Sequence, residues 1–402
     1  MLTLNRLIQR VAPSPTLAAG ARAQELKAAG RDIVSFTVGE PDSDTPQHVK
    51  DAATEAMKKG FTKYTAVGGI PSLKETIRAK LKRDQGLEYA ANEICVTNGG
   101  KHAIAGLAAV LLDPGDEAII PAPYWTSYPD IVQLIGGVSV IVNTDPKSGY
   151  RMTPEALEKA ITPKTKLVFL NSPSNPTGAC YSKEEILALG KVISASSNKS
   201  LMVLSDEVYE YITFDGVEHH SIAALCPELR EQIVIVNAFS KAYSMTGWRV
   251  GYAAGPKKLI DALTTHQSQF TSNICSIAQH AAAAAYTDNG AFPKMLREGF
   301  QQRVKIVTDA VKEMNGVTLP VPPEGAFYAF LRVEGLFGKK DGTRVINSGM
   351  DFANYLLEKY DVVVVQGEAF GDSGAVRISY ALAEADLKKG LARIIEATRT
   401  LQ

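Results

Sequence analysis

The run IVIVNAFSKAYSMTGWRVGYAAG, Ile233 to Gly255, decides how the chain is read. Its opening residues, Ile233 to Val236, are β-branched and apolar, the composition of a strand buried on both faces. Lys241 stands just past that strand among small and hydroxyl residues, eight positions before Arg249 in a glycine-flanked turn. A solvated lysine needs neither the strand nor that company. Desolvation at a strand end pulls an ammonium pKa down toward nucleophilic usefulness, and a neutral amine can form an imine with a carbonyl. Arg249, between Trp248 and Val250, offers a planar fork suited to phosphate; the plain alternative is a stacked surface ion pair.

On the N-terminal side of this run, short strand-like runs alternate with helical stretches, from EICVTN (93–98) through EAIIPA (117–122) and KLVFLN (166–171) to LMVLSD (201–206). This alternation predicts an α/β fold with a mostly parallel sheet flanked by helices. On the C-terminal side the texture changes near Ala291. A long amphipathic helix, FPKMLREGFQQRVKIVTDAVKEM, precedes separated strands GAFYAFLRV, DVVVVQG and AVRISYA and a last helix, EADLKKGLARIIEATRT. The expected division is a large domain over 46–290 and a smaller α+β domain over 291–402, with residues 1–45 packing against the smaller one.

Ligands of open α/β sheets bind beyond the carboxyl ends of the strands, so the polar residues there are the candidates. TNGGKHAIAGL places Gly99, Gly100 and Lys101 between a strand and a helix, where free N–H groups and the helix dipole suit an anion; paired glycines also serve plain tight turns. GxGxxG and the P-loop spacing are absent, which argues against a dinucleotide or nucleoside triphosphate site. NSPSNPTG (171–178) has two X-Pro steps that hold Asn175 in an extended loop, as a site or as a mere connection. Asp206 and Glu207 follow four apolar residues. A carboxylate there is costly unless a cation or donor faces it, although a helix N-cap fits the pattern equally well. Arg377 alternates with Ala375 and Ser379 along one strand face, where a lone arginine is usually an edge cation.

The chain has 402 residues, 45% hydrophobic and 21% charged, with 43 basic and 43 acidic side chains. That is the composition of a globular enzyme with no overall field for nucleic acid or anionic membrane. The runs KLKRD (80–84) and GKKDG read as solvated faces. Cys95, Cys180, Cys226 and Cys275 are scattered without zinc spacing, which implies free thiols, no metal and a cytoplasmic setting. Arginines interrupt the N-terminal apolar residues, unlike a secretory signal, and AIAGLAAVLL (103–112) is too short to span a bilayer.

In order and spacing, VGEPDSDTP (38–46), GGIPSLKETI (68–77), PYWTSYPD (123–130), NSPSNPTG, SDEVYE (205–210), SKAYSMTGWRVGY and RISYA (377–381) resemble the fold-type I pyridoxal phosphate enzymes. Specifically they resemble the class I aminotransferases of the bacterial aspartate aminotransferase subgroup, which includes prephenate-accepting members. The resemblance spans nearly the whole chain. It implies a large domain with a mostly parallel seven-stranded sheet and a smaller α+β domain, arranged as a homodimer with sites at the subunit interface.

The resemblance further implies that Lys241 holds pyridoxal 5'-phosphate as an imine. Asp206 would pair with the ring nitrogen, Tyr209 and Asn175 would bond the phenolic oxygen, and Trp125 would stack on the ring. Gly100, Lys101, Ser240 and Arg249 would bind the phosphate, with Tyr64 supplied by the second subunit. The family's Ser-x-Ser-Lys is here Ala238, Phe239, Ser240 and Lys241, so one hydroxyl is missing. Arg377 would grip the substrate α-carboxylate, assisted by Asn175 and the Gly39 backbone. Lys101 would take part in reading a distal carboxylate, and Ser14 and Thr16 of PSPT would belong to a segment that closes over the substrate. The implied reaction is ping-pong amino transfer from L-aspartate to 2-oxoglutarate, with prephenate or another 2-oxo acid as the rival acceptor. A β-lyase on the same scaffold is a further alternative; a regulator that keeps the domain as a sensor would need a DNA-binding extension for which the N-terminus is too short.

Overall fold

The structure, a computed structural model, describes residues 2–402. Seven strands build the main sheet: Ile94–Thr97 (β1), Glu117–Ala122 (β2), Val138–Asn143 (β3), Thr165–Asn171 (β4), Met202–Asp206 (β5), Ile233–Ala238 (β6) and Gly251–Ala254 (β7). Their order is β1-β7-β6-β5-β4-β2-β3. Only β7 runs antiparallel to its neighbours. β3 lies outside the strand runs singled out in the sequence; it is a half-exposed edge strand whose side chains are less uniformly apolar.

Strand alternation explains the apolar runs. Ile233 and Ile235 of β6 join one apolar cluster, while Val234 and Val236 join the cluster on the opposite face. Both faces are covered by helices, so the first four positions of β6 are apolar, and the one polar residue before the strand ends, Asn237, is buried with its amide bonded to Glu210. The same alternation separates two neighbouring carboxylates. Met202, Leu204 and so Asp206 face one layer, and Val203, Ser205 and so Glu207 face the other.

A second core surrounds a three-stranded antiparallel sheet of Tyr328–Arg332 (β8), Val365–Gln366 (β9) and Ala375–Ser379 (β10), ordered β9-β10-β8. The helices Ala291–Val311 and Glu384–Thr400 cover it. DVVVVQG, expected as one strand, is split. Val362–Val363 pairs in parallel with Val34–Ser35, whereas Val365–Gln366 pairs with Val376 and Arg377. Four consecutive valines satisfy both partners because the chain changes sheets at Val364, and the first pairing ties the N-terminal segment to this core.

KLKRD is not wholly a solvated face. Lys80 is fully buried and its Nζ donates to Glu210 Oε1. Glu210 also accepts from Asn237 Nδ2 at 2.6 Å and Gln85 Nε2 at 2.9 Å. Burial alone pushes the neighbouring Glu207 up, but His219, Ser221 and Gln85 overcome it and hold this carboxylate at about 2. The donors around Glu207, Glu210 and His219 fill the oxygens that a metal ion would need. No helix among the described residues is long and apolar enough to cross a membrane.

Candidate active site

The carboxyl ends of β4, β5 and β6 open into a cavity of about 620 Å³. It is closed from the other side by β8, β10 and the N-terminal segment. Of the residues singled out in the sequence, Ser14, Thr16, Gly39, Gly100, Lys101, Trp125, Asn175, Asp206, Tyr209, Ser240, Lys241, Arg249 and Arg377 all line it. Tyr64 does not; it is 90% exposed on the outer surface.

Lys241 sits on the short helix Phe239–Ala242 that follows β6. Its Nζ donates to the Gly39 carbonyl. Burial, joined by Arg249 and Arg377, lowers its pKa to about 8 against the pull of Glu40 and Asp206. The amine is therefore far closer to its neutral form at physiological pH than an exposed lysine.

Asp206 ends β5 on the cavity side and caps no helix, because turns follow it. Its Oδ2 accepts from Tyr128 Oη at 2.6 Å and its Oδ1 from the Val208 N–H at 3.3 Å. Burial raises its pKa to about 6, with both hydrogen bonds opposing. The Asp206 backbone carbonyl accepts from Asn171 Nδ2 at 3.0 Å, and Asn171 Oδ1 accepts the Asn175 N–H at 2.9 Å. One side chain thus pins the Asn175 loop to the end of β5.

Arg377 is no edge cation. It lies on the central strand β10, is 2% exposed, and packs over Tyr328 and Phe370. Its Nη1 donates to Asn175 Oδ1 and its Nη2 to the Thr37 carbonyl, both at 3.0 Å. Its Nε is buried without a partner. No carboxylate of the described residues forms an ion pair with Arg377, Arg249 or Lys101. Such a cation in a cavity is arranged for an anion that arrives from outside.

At the other end, Lys101 Nζ stands 4.9 Å from the centre of the Trp125 ring. Burial and then Arg249 lower its pKa. The helix Gly100–Leu111 begins here, and the N–H groups of His102 and Ala103 already turn back to Gly99. Gly99 has φ of +83°, and a Cβ there would lie 2.4 Å from the Arg249 guanidinium. Arg249 itself adopts φ of +57° and donates to the Thr246 carbonyl at 2.8 Å. A left-handed arginine is strained, and such strain is kept where it aims a side chain.

Tyr128, Tyr328, Asn171 and Thr37 escaped the sequence reading. Tyr128 and Asn171 lie within motifs quoted above, but nothing in the sequence shows that they bond Asp206. Tyr328 Oη lies 2.9 Å from Tyr209 Oη, so two tyrosines of the second core, one following β5 and one on β8, meet at the cavity.

The residues fit a phosphorylated aldehyde. The glycine-floored helix start with Ser240, Lys101 and Arg249 suits a phosphate, Asp206 suits a cationic ring nitrogen, and Lys241 suits the carbonyl. The unpartnered Nε of Arg377 adds a place for a carboxylate. Together fold and site suit an enzyme that uses a phosphorylated carbonyl cofactor beside a lysine and binds acids. A match to the family described as aminotransferase class I and II covers residues 31–394. The chain belongs to this family, whose members depend on pyridoxal phosphate. It is 48% identical to an aspartate aminotransferase of Geobacillus stearothermophilus over 97% of this chain and 98% of that one. It is 47% identical to an aspartate/prephenate aminotransferase of Cereibacter sphaeroides over 98% of each. The crystal structure of the aspartate aminotransferase from Rhizobium meliloti superposes with a TM-score of 0.96, at 44% identity and full coverage of both chains.

Proposed function

We propose that the protein transfers the amino group of L-aspartate to 2-oxoglutarate, giving oxaloacetate and L-glutamate in a ping-pong cycle. The observation that carries this reading is the pair of cations without carboxylate partners, Arg377 and Lys101, lining one cavity with Lys241. Two anion sites flanking one amine match a dicarboxylic amino acid. Prephenate, which also bears two carboxylates, is the second acceptor that this arrangement favours, and a relative is named for it.

Pyridoxal phosphate, when bound, supplies an aldehyde carbon and an electron-withdrawing ring. Asp206 would hold the proton on the ring nitrogen, and Tyr209 with Asn175 would bond the phenolic oxygen. Gly100, Lys101, Ser240 and Arg249 bind the phosphate, and Trp125 covers the ring. Arg377, oriented by Asn175 and the Thr37 carbonyl, takes the α-carboxylate near the Gly39 backbone. Lys241 Nζ would tether the cofactor and, as a free amine, would take the Cα proton as a general base and return one as a general acid. Its lowered pKa suits both tasks. Ser14 and Thr16 close over the substrate and exclude water.

In this reading residues 46–290 form the cofactor-binding domain, 291–402 the smaller one, and 1–45 a segment shared with the latter. The active form is a cytoplasmic homodimer in which Tyr64 reaches the partner's phosphate. The test mixes the purified holoenzyme with single amino donors and follows the cofactor absorbance through one half-reaction. Fast conversion by aspartate and glutamate but not by alanine or phenylalanine is expected. The reverse order, or pyruvate release from cystathionine, overturns the proposal.

A further inference from the structure

We propose that Tyr128 is a positioning residue for the cofactor, its hydroxyl holding Asp206 ionised and aimed at the ring nitrogen. The inference rests on the assignment of Asp206 made above. Tyr128 belongs to the first turn of the helix Ser127–Ile135 and is 3% exposed. Its ring is fixed on two sides, stacked on Phe169 at 4.6 Å and meeting Trp125 edge-on at 5.3 Å. Those contacts leave the hydroxyl pointing at Asp206 Oδ2, 2.6 Å away.

The bond has one direction. Burial and the adjacent carboxylate keep the phenol protonated, so Tyr128 donates and Asp206 accepts. Asp206 is itself buried, and its other donor is the Val208 N–H at 3.3 Å, a longer bond. The remaining charged or titratable groups near it are Glu207 and Tyr209 on its own segment and Lys241 beyond β6. Lys241 donates to the Gly39 carbonyl rather than to Asp206, and Glu207 repels, so Tyr128 is the side chain that stabilises the anion by a direct hydrogen bond. Because Oδ2 is taken by Tyr128, the oxygen that faces the ring is set by the same contact. The edge contact with Trp125 also ties the ring-covering residue and the ring-nitrogen partner to one rigid side chain.

The test compares wild type, Tyr128→Phe and Asp206→Asn as apoenzymes titrated with pyridoxal phosphate between pH 5 and 8.5, reading the dissociation constant by fluorescence. In wild type the affinity falls as the pH drops through the Asp206 pKa. Loss of a hydrogen bond to a charged group moves that fall upward by about 1 pH unit in Tyr128→Phe. In Asp206→Asn the part of the fall centred near pH 6 is abolished, leaving only the slope that Lys241 sets below about 8. Site-specific 3-fluorotyrosine at position 128, a stronger donor, moves it downward, which gives an opposite sign and guards against misfolding of the phenylalanine variant. An unshifted fall in both Tyr128 proteins, with Asp206→Asn still abolishing the part near pH 6, overturns the role of Tyr128 alone. An Asp206→Asn protein that binds like wild type at every pH overturns the Asp206 assignment as well.

Discussion

Replacing Lys101 by methionine separates its two proposed duties. Methionine is unbranched and only one atom shorter, and its thioether packs on the Trp125 face in place of the ammonium. What disappears is the charge. Two unit charges 4 Å apart at an effective dielectric constant of 20 attract by about 4 kcal/mol. Lys101 is an exposed residue on the cavity wall, so water screens much of this, and a hydrogen bond to a charged group sets the scale at about 1.5–2 kcal/mol. That is a loss of about 10- to 30-fold in kcat/KM for aspartate and glutamate. Alanine, with no distal carboxylate, should lose little. The assay is the single half-reaction at saturating cofactor, monitored by the cofactor absorbance for each donor, with cofactor affinity measured separately. An equal loss for alanine and aspartate would show that Lys101 serves only the phosphate, and no loss for either would remove it from both roles.

Three further outcomes are expected. Because burial depresses Lys241 to about 8, its neutral fraction is lost as pH falls through that value; the rate at which apoenzyme captures pyridoxal phosphate covalently should drop about tenfold per pH unit below 8 and level off above it. Stopped-flow absorbance reads this, and a flat profile from pH 6 to 9 contradicts it. Lys80→Met leaves the Glu210 carboxylate buried without its cation and should cost about 3–5 kcal/mol in urea unfolding, with the Lys80→Met/Glu210→Met double variant recovering part of the loss; a single-variant cost below about 1 kcal/mol refutes the buried pair. In a mixed dimer of Tyr64→Phe and Lys241→Ala chains, the only intact lysine site receives Tyr64 from its partner, so its cofactor affinity should match wild type by equilibrium dialysis, whereas weakened binding would place Tyr64 in its own chain's site.

What could be read from the sequence follows the reach of each physical signal. The β6 run is legible because burial on both faces fills Ile233–Val236 with apolar residues, and the polar residues that follow then mark the ligand-binding edge of the sheet. Asp206 and Lys241 are both found by that argument. The split of Val362–Val363 from Val365–Gln366 is not, because four valines suit either sheet and the choice depends on where Val34 and Arg377 lie in space. Nor is Lys80, whose burial depends on Glu210, 130 positions away.

Arg377 shows where a base rate fails and what replaces it. A strand arginine is ordinarily at an edge because a guanidinium can seldom be buried without a carboxylate. Here the three-stranded sheet puts it at the centre, two aromatic faces flank it, and two neutral acceptors, Asn175 Oδ1 and the Thr37 carbonyl, occupy part of its fork. Neutral acceptors orient the guanidinium without cancelling its charge. A carboxylate partner in the chain would have made the same residue cheaper to bury and useless for binding, because an arriving acid would first have to displace it. The missing counter-ion is therefore the informative feature, and it belongs to no single stretch of sequence: it follows from β10, the Asn175 loop and the N-terminal segment meeting with no carboxylate on the guanidinium.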